Sequence, residues 1–275
     1  MNFKLNNFLR VLVPFGLTQA LGVYAAFKFL PQVIFVEPAG LGSFSLADLI
    51  ILVAIIVIFF AVAVRFKRVG TAFYRFFLTI LIFSGTQAIF GIWFPPLVST
   101  VWAIGLTALF WVFQNILTHN IAMILTIAGI GSVLGLSLLP LTVIYVLVAF
   151  SFYDIIAVYK TGHMVKMAQA MIQSRAIFGF IVPEAGQSVR GHVSKVAPGE
   201  GFMILGSGDV IFPLLLSASL VRISILAAVI VGVFSVLGLF LMHLIFINQK
   251  TRRPMAALPP IALMSIIGYV VASLI

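Results

Sequence analysis

The sequence predicts an all-α membrane protein of nine transmembrane helices, and three observations predict it. Of its 275 residues, 63% are hydrophobic and only 8% are charged, against about 25% charged in a soluble domain. Mean hydropathy is +1.27, more apolar surface than a soluble fold can hide. The apolar residues form stretches long enough to cross a bilayer, and the basic residues lie between them, as orienting charges do. The net charge of +10 therefore does not point to nucleic acid. With no cysteine, a disulfide framework and a thiolate metal site are both excluded.

A hydrocarbon core about 30 Å thick needs roughly 20 helical residues at about 1.5 Å each. Val11–Leu30 is too long for the apolar core of a signal peptide and reads as a retained first span. Leu46–Val64, Ala72–Phe94, Leu97–Leu117 and Ile121–Leu138 follow. The sixth span, Pro140–Tyr159, is separated from the fifth by a break at Ser137–Leu139, because proline is well placed in the first turn of a new helix. Leu205–Leu220 is short and carries Ser207, Asp209, Pro213, Ser217 and Ser219. Ile223–Ile247 and Ala256–Leu274 complete the nine.

Charge gives the orientation. Lys4 and Arg10 precede the first span, and Arg65, Lys67, Arg68 and Arg75 lie between the second and third. Lys160, Lys166, Arg175, Arg190 and Lys195 fall between the sixth and seventh, and Lys250, Arg252 and Arg253 between the eighth and ninth. Fourteen of the sixteen basic residues share one side if the N-terminus is cytoplasmic and the C-terminus outside; Lys28 and Arg222 depart from the rule. An eight-span chain would strand the last cluster on the wrong side. The segment from Lys160 to Gly201 is the one long loop, and its Met164–Phe178 portion has the spacing of an interfacial amphipathic helix.

Of the six acidic residues, Glu37, Asp48, Glu184 and Glu200 fall in loops or at a helix end. Only Asp154 and Asp209 lie within spans. An ionisable group there costs roughly 2.5–3.5 kcal/mol on insertion scales, so such residues are functional candidates. No basic residue shares the membrane interior with them, which removes the structural ion pair as an explanation. Asp154 precedes the cytoplasmic end of the sixth span, and Asp209 follows the cytoplasmic start of the seventh. Adjacent antiparallel helices would place the two face to face, within roughly 10 Å of that surface. Two carboxylates at short range cannot both ionise cheaply, so they share a proton. Such a pair can activate water as base while protonating a carbonyl as acid. Gly206-Ser207-Gly208 removes two side chains beside one of them.

Tyr153-Asp154 resembles the Tyr-Asp motif on the sixth helix of presenilins and signal peptide peptidases. Gly206-Ser207-Gly208-Asp209 is similar to their Gly-x-Gly-Asp motif on the seventh, and Ala257-Leu258-Pro259 to their Pro-Ala-Leu motif at the ninth, with Ala256 in place of its first proline. The resemblance implies an intramembrane aspartyl protease of presenilin-like fold, closest in kind to signal peptide peptidase or an archaeal homologue. It makes Asp154 and Asp209 the catalytic pair. Tyr153, Gly206, Gly208, Ala257, Leu258 and Pro259 would shape the site or bind substrate. Residues 1–139 would be a scaffold of about five helices, and 140–275 the catalytic part, with a cytoplasmic loop near 160–203. The loop is shorter than in presenilins, so one uncleaved chain is expected.

The partners implied are single transmembrane-helix peptides and the lipid bilayer; self-association into a homo-oligomer is left open. Nothing calls for a cofactor or a metal, and the four histidines lack ligand spacing. The chain would be a multi-pass integral protein, in the plasma membrane of a prokaryote or an endomembrane of a eukaryote. Gly129, Gly131, Gly135, Gly232 and Gly238 read as close helix packing. Gln19, Gln87, Gln114 and Asn115 read as interhelical hydrogen-bonders. A proton- or cation-coupled transporter or an ion-leak channel is the rival class, since it too uses intramembrane acids and broken helices. Both acids near one face, and no repeat between halves, speak against it.

Overall fold

The computed structural model describes residues 5–33, 38, 67–184, 187–196, 201–249 and 254–275. The predicted second span, Leu46–Val64, lies outside them, as do Lys4, Arg65, Lys250, Arg252 and Arg253 of the orienting charges. Among the described residues there are nine α-helices and one two-stranded antiparallel sheet. The helices are α1 (Leu5–Val33), α2 (Lys67–Phe90), α3 (Pro96–Val112), α4 (Ile116–Leu136), α5 (Pro140–Ile155), α6 (His163–Gln173), α7 (Ser207–Leu220), α8 (Ile225–Ile247) and α9 (Leu258–Ser273). Strands β1 (Gly179–Pro183) and β2 (Phe202–Gly206) lie between α6 and α7.

Among the described residues, five helices are long and apolar enough to cross a membrane: α1, α2, α4, α5 with the turn that extends it to Lys160, and α8. Helices α3, α7 and α9 are apolar but shorter. At 14 residues α7 is about 21 Å long, less than the hydrocarbon thickness. Unlike the outer helices it is buried over most of its length, including Val210 and every residue from Pro213 to Leu220. A helix apolar on all sides belongs in the interior. It packs against α1, α4, α5, α8 and α9.

Several boundaries depart from the sequence expectation, each for a local reason. The fourth span ends at Val112 instead of Leu117, because Asn115 caps the next helix: its Oδ1 accepts the Thr118 N–H at 2.8 Å. Asn115 is thus a cap where an interhelical contact was expected. Gln19 and Gln87 do bridge helices, to the Val210 carbonyl and to Thr100 Oγ1. The break at Ser137–Leu139 is present, with Leu139 extended and Pro140 opening α5. The amphipathic helix stops at Gln173 and not Phe178, since Arg175 turns into the left-handed region at φ +55° and Arg75 Nε takes the Ser174 carbonyl at 2.9 Å. Leu205 and Gly206, expected in the seventh span, belong to β2.

Gly129, Gly131, Gly135 and Gly238 behave as packing residues, but Gly232 does not, since a Cβ there would meet only Ser217 Oγ at 3.9 Å. A Cβ on Gly129 would collide with the Gly85 backbone, so α2 and α4 cross at glycine–glycine contact. Gly238 meets the backbone of Pro260 and Ile261 in the same way where α8 and α9 cross. Arg222, an exception to the charge rule, has a structural reason for its place. Its Nε donates to the Leu136 carbonyl at 2.8 Å and its Nη2 to that of Val33 at 2.9 Å. These are the last residues of α4 and α1, whose end carbonyls lack helical donors and carry partial negative charge.

The sheet was not anticipated. Its register pairs Gly179 with Gly206 and Ile181 with Ile204. Glu184 N–H donates to the Gly201 carbonyl and Ser207 N–H to that of Phe178. Bonded pairs alternate along an antiparallel ladder, so Gly179, Ile181 and Pro183 turn their backbone groups away from β2. Phe202, Ile204 and Gly206 likewise turn theirs away from β1.

Candidate active site

The buried residues of α5 include Val143, Leu147 and Asp154, spaced along one stripe of the helix. That stripe faces α7 and α9, so the carboxylate points inward on the last turn. The next five residues, Ile156–Lys160, form a π-turn, a local widening often found at functional sites. Asp209 is the third residue of α7. Both aspartates are buried, at 4% and 8% exposure.

Backbone amides surround the two carboxylates. The Leu258 N–H donates to Asp154 Oδ2 at 3.3 Å, and the Ala257 N–H lies beside the same group. The Gly206 N–H lies beside Asp209, the acid at the third position of the helix that Gly206 precedes. Asp154 is close enough for its charge to act on Asp209, and among the described residues neither carboxylate has a cationic partner.

The glycine motif fits tightly around this group. A Cβ on Gly206 would stand 3.1 Å from Asp209 Oδ2. On Gly208 it would meet only the Phe212 ring, at an ordinary 3.5 Å. That ring meets Phe150 at a tilt of 35° with centroids 4.6 Å apart, joining α5 and α7 one turn from each aspartate. Pro213 has no N–H to give the Asp209 carbonyl, which loosens the first turn of α7. Beside it, Gln19 Nε2 donates 2.9 Å to the Val210 carbonyl and ties α1 to that turn.

Of the residues singled out in the sequence, Asp154, Asp209, Gly206, Gly208, Ala257 and Leu258 converge here, and Pro259 follows in the first turn of α9. Ala256, standing where the family has proline, is buried and does not prevent the Leu258 amide from reaching Asp154. Tyr153 is different: it is half exposed and its ring meets Phe150 instead of the carboxylates. Phe150, Phe212 and Gln19 were not read as site residues. Of the three, only the glutamine, a polar group within a span, carried a sequence signal.

Residues 41–275 match the family described as signal-peptide peptidase, presenilin aspartyl protease. The chain belongs to that family. Two solved structures of a presenilin family intramembrane aspartate protease, from C222 and P2 crystals, share its fold. The first has a TM-score of 0.64 at 22% identity, covering 96% of this chain and 98% of that one. For the second the TM-score is 0.62 at 23% identity, with 94% and 96% covered. No curated protein matches the chain. As a member of the presenilin and signal-peptide peptidase family, this integral membrane protein is an intramembrane aspartyl protease. The family gives no support to the transporter or channel reading.

Proposed function

We propose that this protease hydrolyses peptide bonds of single transmembrane helices within the bilayer, with Asp154 and Asp209 as its catalytic pair. The observation that carries the reading is the burial of both carboxylates on adjacent helices, with backbone amides beside them and, among the described residues, no cationic partner. One shared proton suits the reaction. The ionised carboxylate takes a proton from water as the water oxygen attacks the scissile carbonyl carbon. Its protonated partner gives a proton to the carbonyl oxygen. As the C–N bond of the tetrahedral diol breaks, one diol hydroxyl gives its proton to the ionised aspartate and the departing nitrogen takes the proton of the protonated one, which restores the singly protonated pair.

A helical substrate satisfies its own backbone and must unwind before a carbonyl can be attacked. The outward edge of β2 supports a place for the unwound segment, since it runs directly into Gly206 and Asp209. In this reading Gly208 leaves room for the substrate backbone, and Tyr153 and the Ala257–Pro259 segment line its path. Residues 1–139 serve as scaffold and 140–275 as the catalytic part, in one uncleaved chain. The orienting charges support an N-terminus and a 160–203 loop in the cytoplasm, with the C-terminus outside.

In liposomes, a single-helix reporter should be cut into two fragments. Asp154→Asn and Asp209→Asn should each abolish the cut. Cleavage that survives either substitution would remove that carboxylate from the mechanism, and ion flux without cleavage would restore the transport reading.

A further inference from the structure

The outer edge of β1 is closed by side chains from two helices. His119 Nε2, on α4, lies 2.9 Å from the Gly179 carbonyl oxygen, with the ring 2% exposed. Asn120, the next residue, behaves like a neighbouring strand: its Nδ2 donates to the Ile181 carbonyl at 2.8 Å and its Oδ1 accepts the Ile181 N–H at 2.9 Å. At the far end, Arg10 Nη1, on α1, donates to the carbonyls of Pro183 and Glu184, each at 2.8 Å. Pro183 has no N–H to offer. The groups of Gly179, Ile181 and Pro183 are those that would receive an added strand on that side.

The edge of β2 differs. Ile204 turns its N–H and C=O away from β1, and no side chain among the described residues bonds to them. A two-stranded sheet has two edges, and here one is sealed by groups placed in the correct alternation. Buried backbone groups need partners, but a bonded third strand would serve that need as well as side chains do. Side-chain closure therefore has a directional consequence.

We infer that His119 and Asn120 are positioning residues that leave β2 as the sole docking edge for an extended substrate and so fix which peptide bond reaches the aspartates. The inference rests on the reading that substrate pairs as a strand. A strand slip of one residue turns every carbonyl to the opposite side, so register on β2 sets the cleavage position. Opening β1 gives the substrate a competing edge farther from Asp209.

The test maps the cut positions in a single-helix reporter by mass spectrometry, for wild type, Asn120→Leu and Asn120→Asp. Leucine removes both bonds to Ile181, while aspartate keeps an acceptor for its N–H. Because the chain lacks cysteine, single cysteines at Met203 or Val182 can be cross-linked to a cysteine in the reporter. Wild type should give one dominant cut and cross-link through β2 alone. Asn120→Leu should spread the cuts to neighbouring bonds, raise KM at least threefold and add a β1 cross-link; Asn120→Asp should do so to a smaller degree. If Asn120→Leu does not fold, Asn120→Asp decides. Unchanged cut positions and KM, with only a uniform loss of kcat, would reduce Asn120 to a stabilising contact and overturn the inference. Failure of wild type to cross-link through either strand would instead overturn the strand-pairing reading beneath it.

Discussion

The backbone N–H of Leu258 stands 3.3 Å from Oδ2 of Asp154, so the start of α9 holds a carboxylate carried by α5. The Leu258 side chain sets the position of that amide. It is buried in the cluster that contains Val143, Leu147 and Leu216. Leu258→Ala should cost about 2–5 kcal/mol of stability, as leucine truncations in a core do. It should also lower kcat in the fraction that remains folded, because the amide loses its anchor. Leu258→Met, nearly equal in volume, should cost less than about 1.5 kcal/mol and keep most activity. Denaturant titration alongside single-turnover cleavage separates the two effects. An unchanged kcat in folded Leu258→Ala would show that the amide does not depend on this side chain.

Two glycines of one motif should fail differently. A Cβ at Gly206 enters the space of Asp209 Oδ2, so Gly206→Ala must displace the carboxylate. Its kcat should fall at least tenfold, since about 1.4 kcal/mol of lost transition-state stabilisation is enough for that. At Gly208 the same methyl group meets only a ring at normal contact distance. Gly208→Ala should therefore leave thermal stability unchanged, and any loss should appear in KM, because the space serves the substrate. A kcat defect in Gly208→Ala with KM unchanged would contradict this division.

The aspartates and the three motifs were legible because charge is scarce in this chain, and each acid within a span demanded a reason. The break before Pro140 was legible because proline marks a helix start. The sheet was not. Gly179–Pro183 and Phe202–Gly206 are short apolar runs, and such runs have no period that separates strand from helix. Their pairing depends on α4, whose Asn120 contributes from 61 residues away in sequence. Asn115 was misread for a related reason: a polar residue between two apolar stretches can be a cap or an interhelical bond, and only the end of α3 decides. The Phe150–Phe212 contact had no signal either, since aromatic residues are plentiful in a chain with 27 phenylalanines.

Arg222 closes the ends of α1 and α4 with one guanidinium. Hydrogen bonds from a charged donor contribute about 1.5–3 kcal/mol each. Arg222→Ala should lower the melting temperature in detergent by several degrees. Lysine keeps the charge but lacks the planar fork that reaches two carbonyls, so Arg222→Lys should fall between alanine and wild type. The site is remote from the aspartates, and cleavage per folded molecule should stay the same in both. A lysine variant as stable as wild type would mean that charge alone suffices at this position.

The proposed pair also predicts the form of the pH dependence. Catalysis needs one carboxylate ionised to take a proton from water and the other protonated to supply the carbonyl oxygen. As pH falls, both become protonated and the base is lost; as pH rises, both ionise and the acid is lost. The plot of kcat/KM against pH should therefore be bell-shaped, and its two limbs belong to the pair and not to either aspartate alone. Asp154→Asn leaves Asp209 without a partner to exchange roles with, so it should abolish activity across the range and not shift one limb. Cleavage of a reporter without titratable groups near the cut, measured over roughly pH 4 to 9, tests this. Folding must be followed in parallel, because unfolding at either extreme would imitate a limb. A rate that rises with pH to a plateau, in protein that stays folded, would require only a single ionised base and would exclude the shared-proton mechanism.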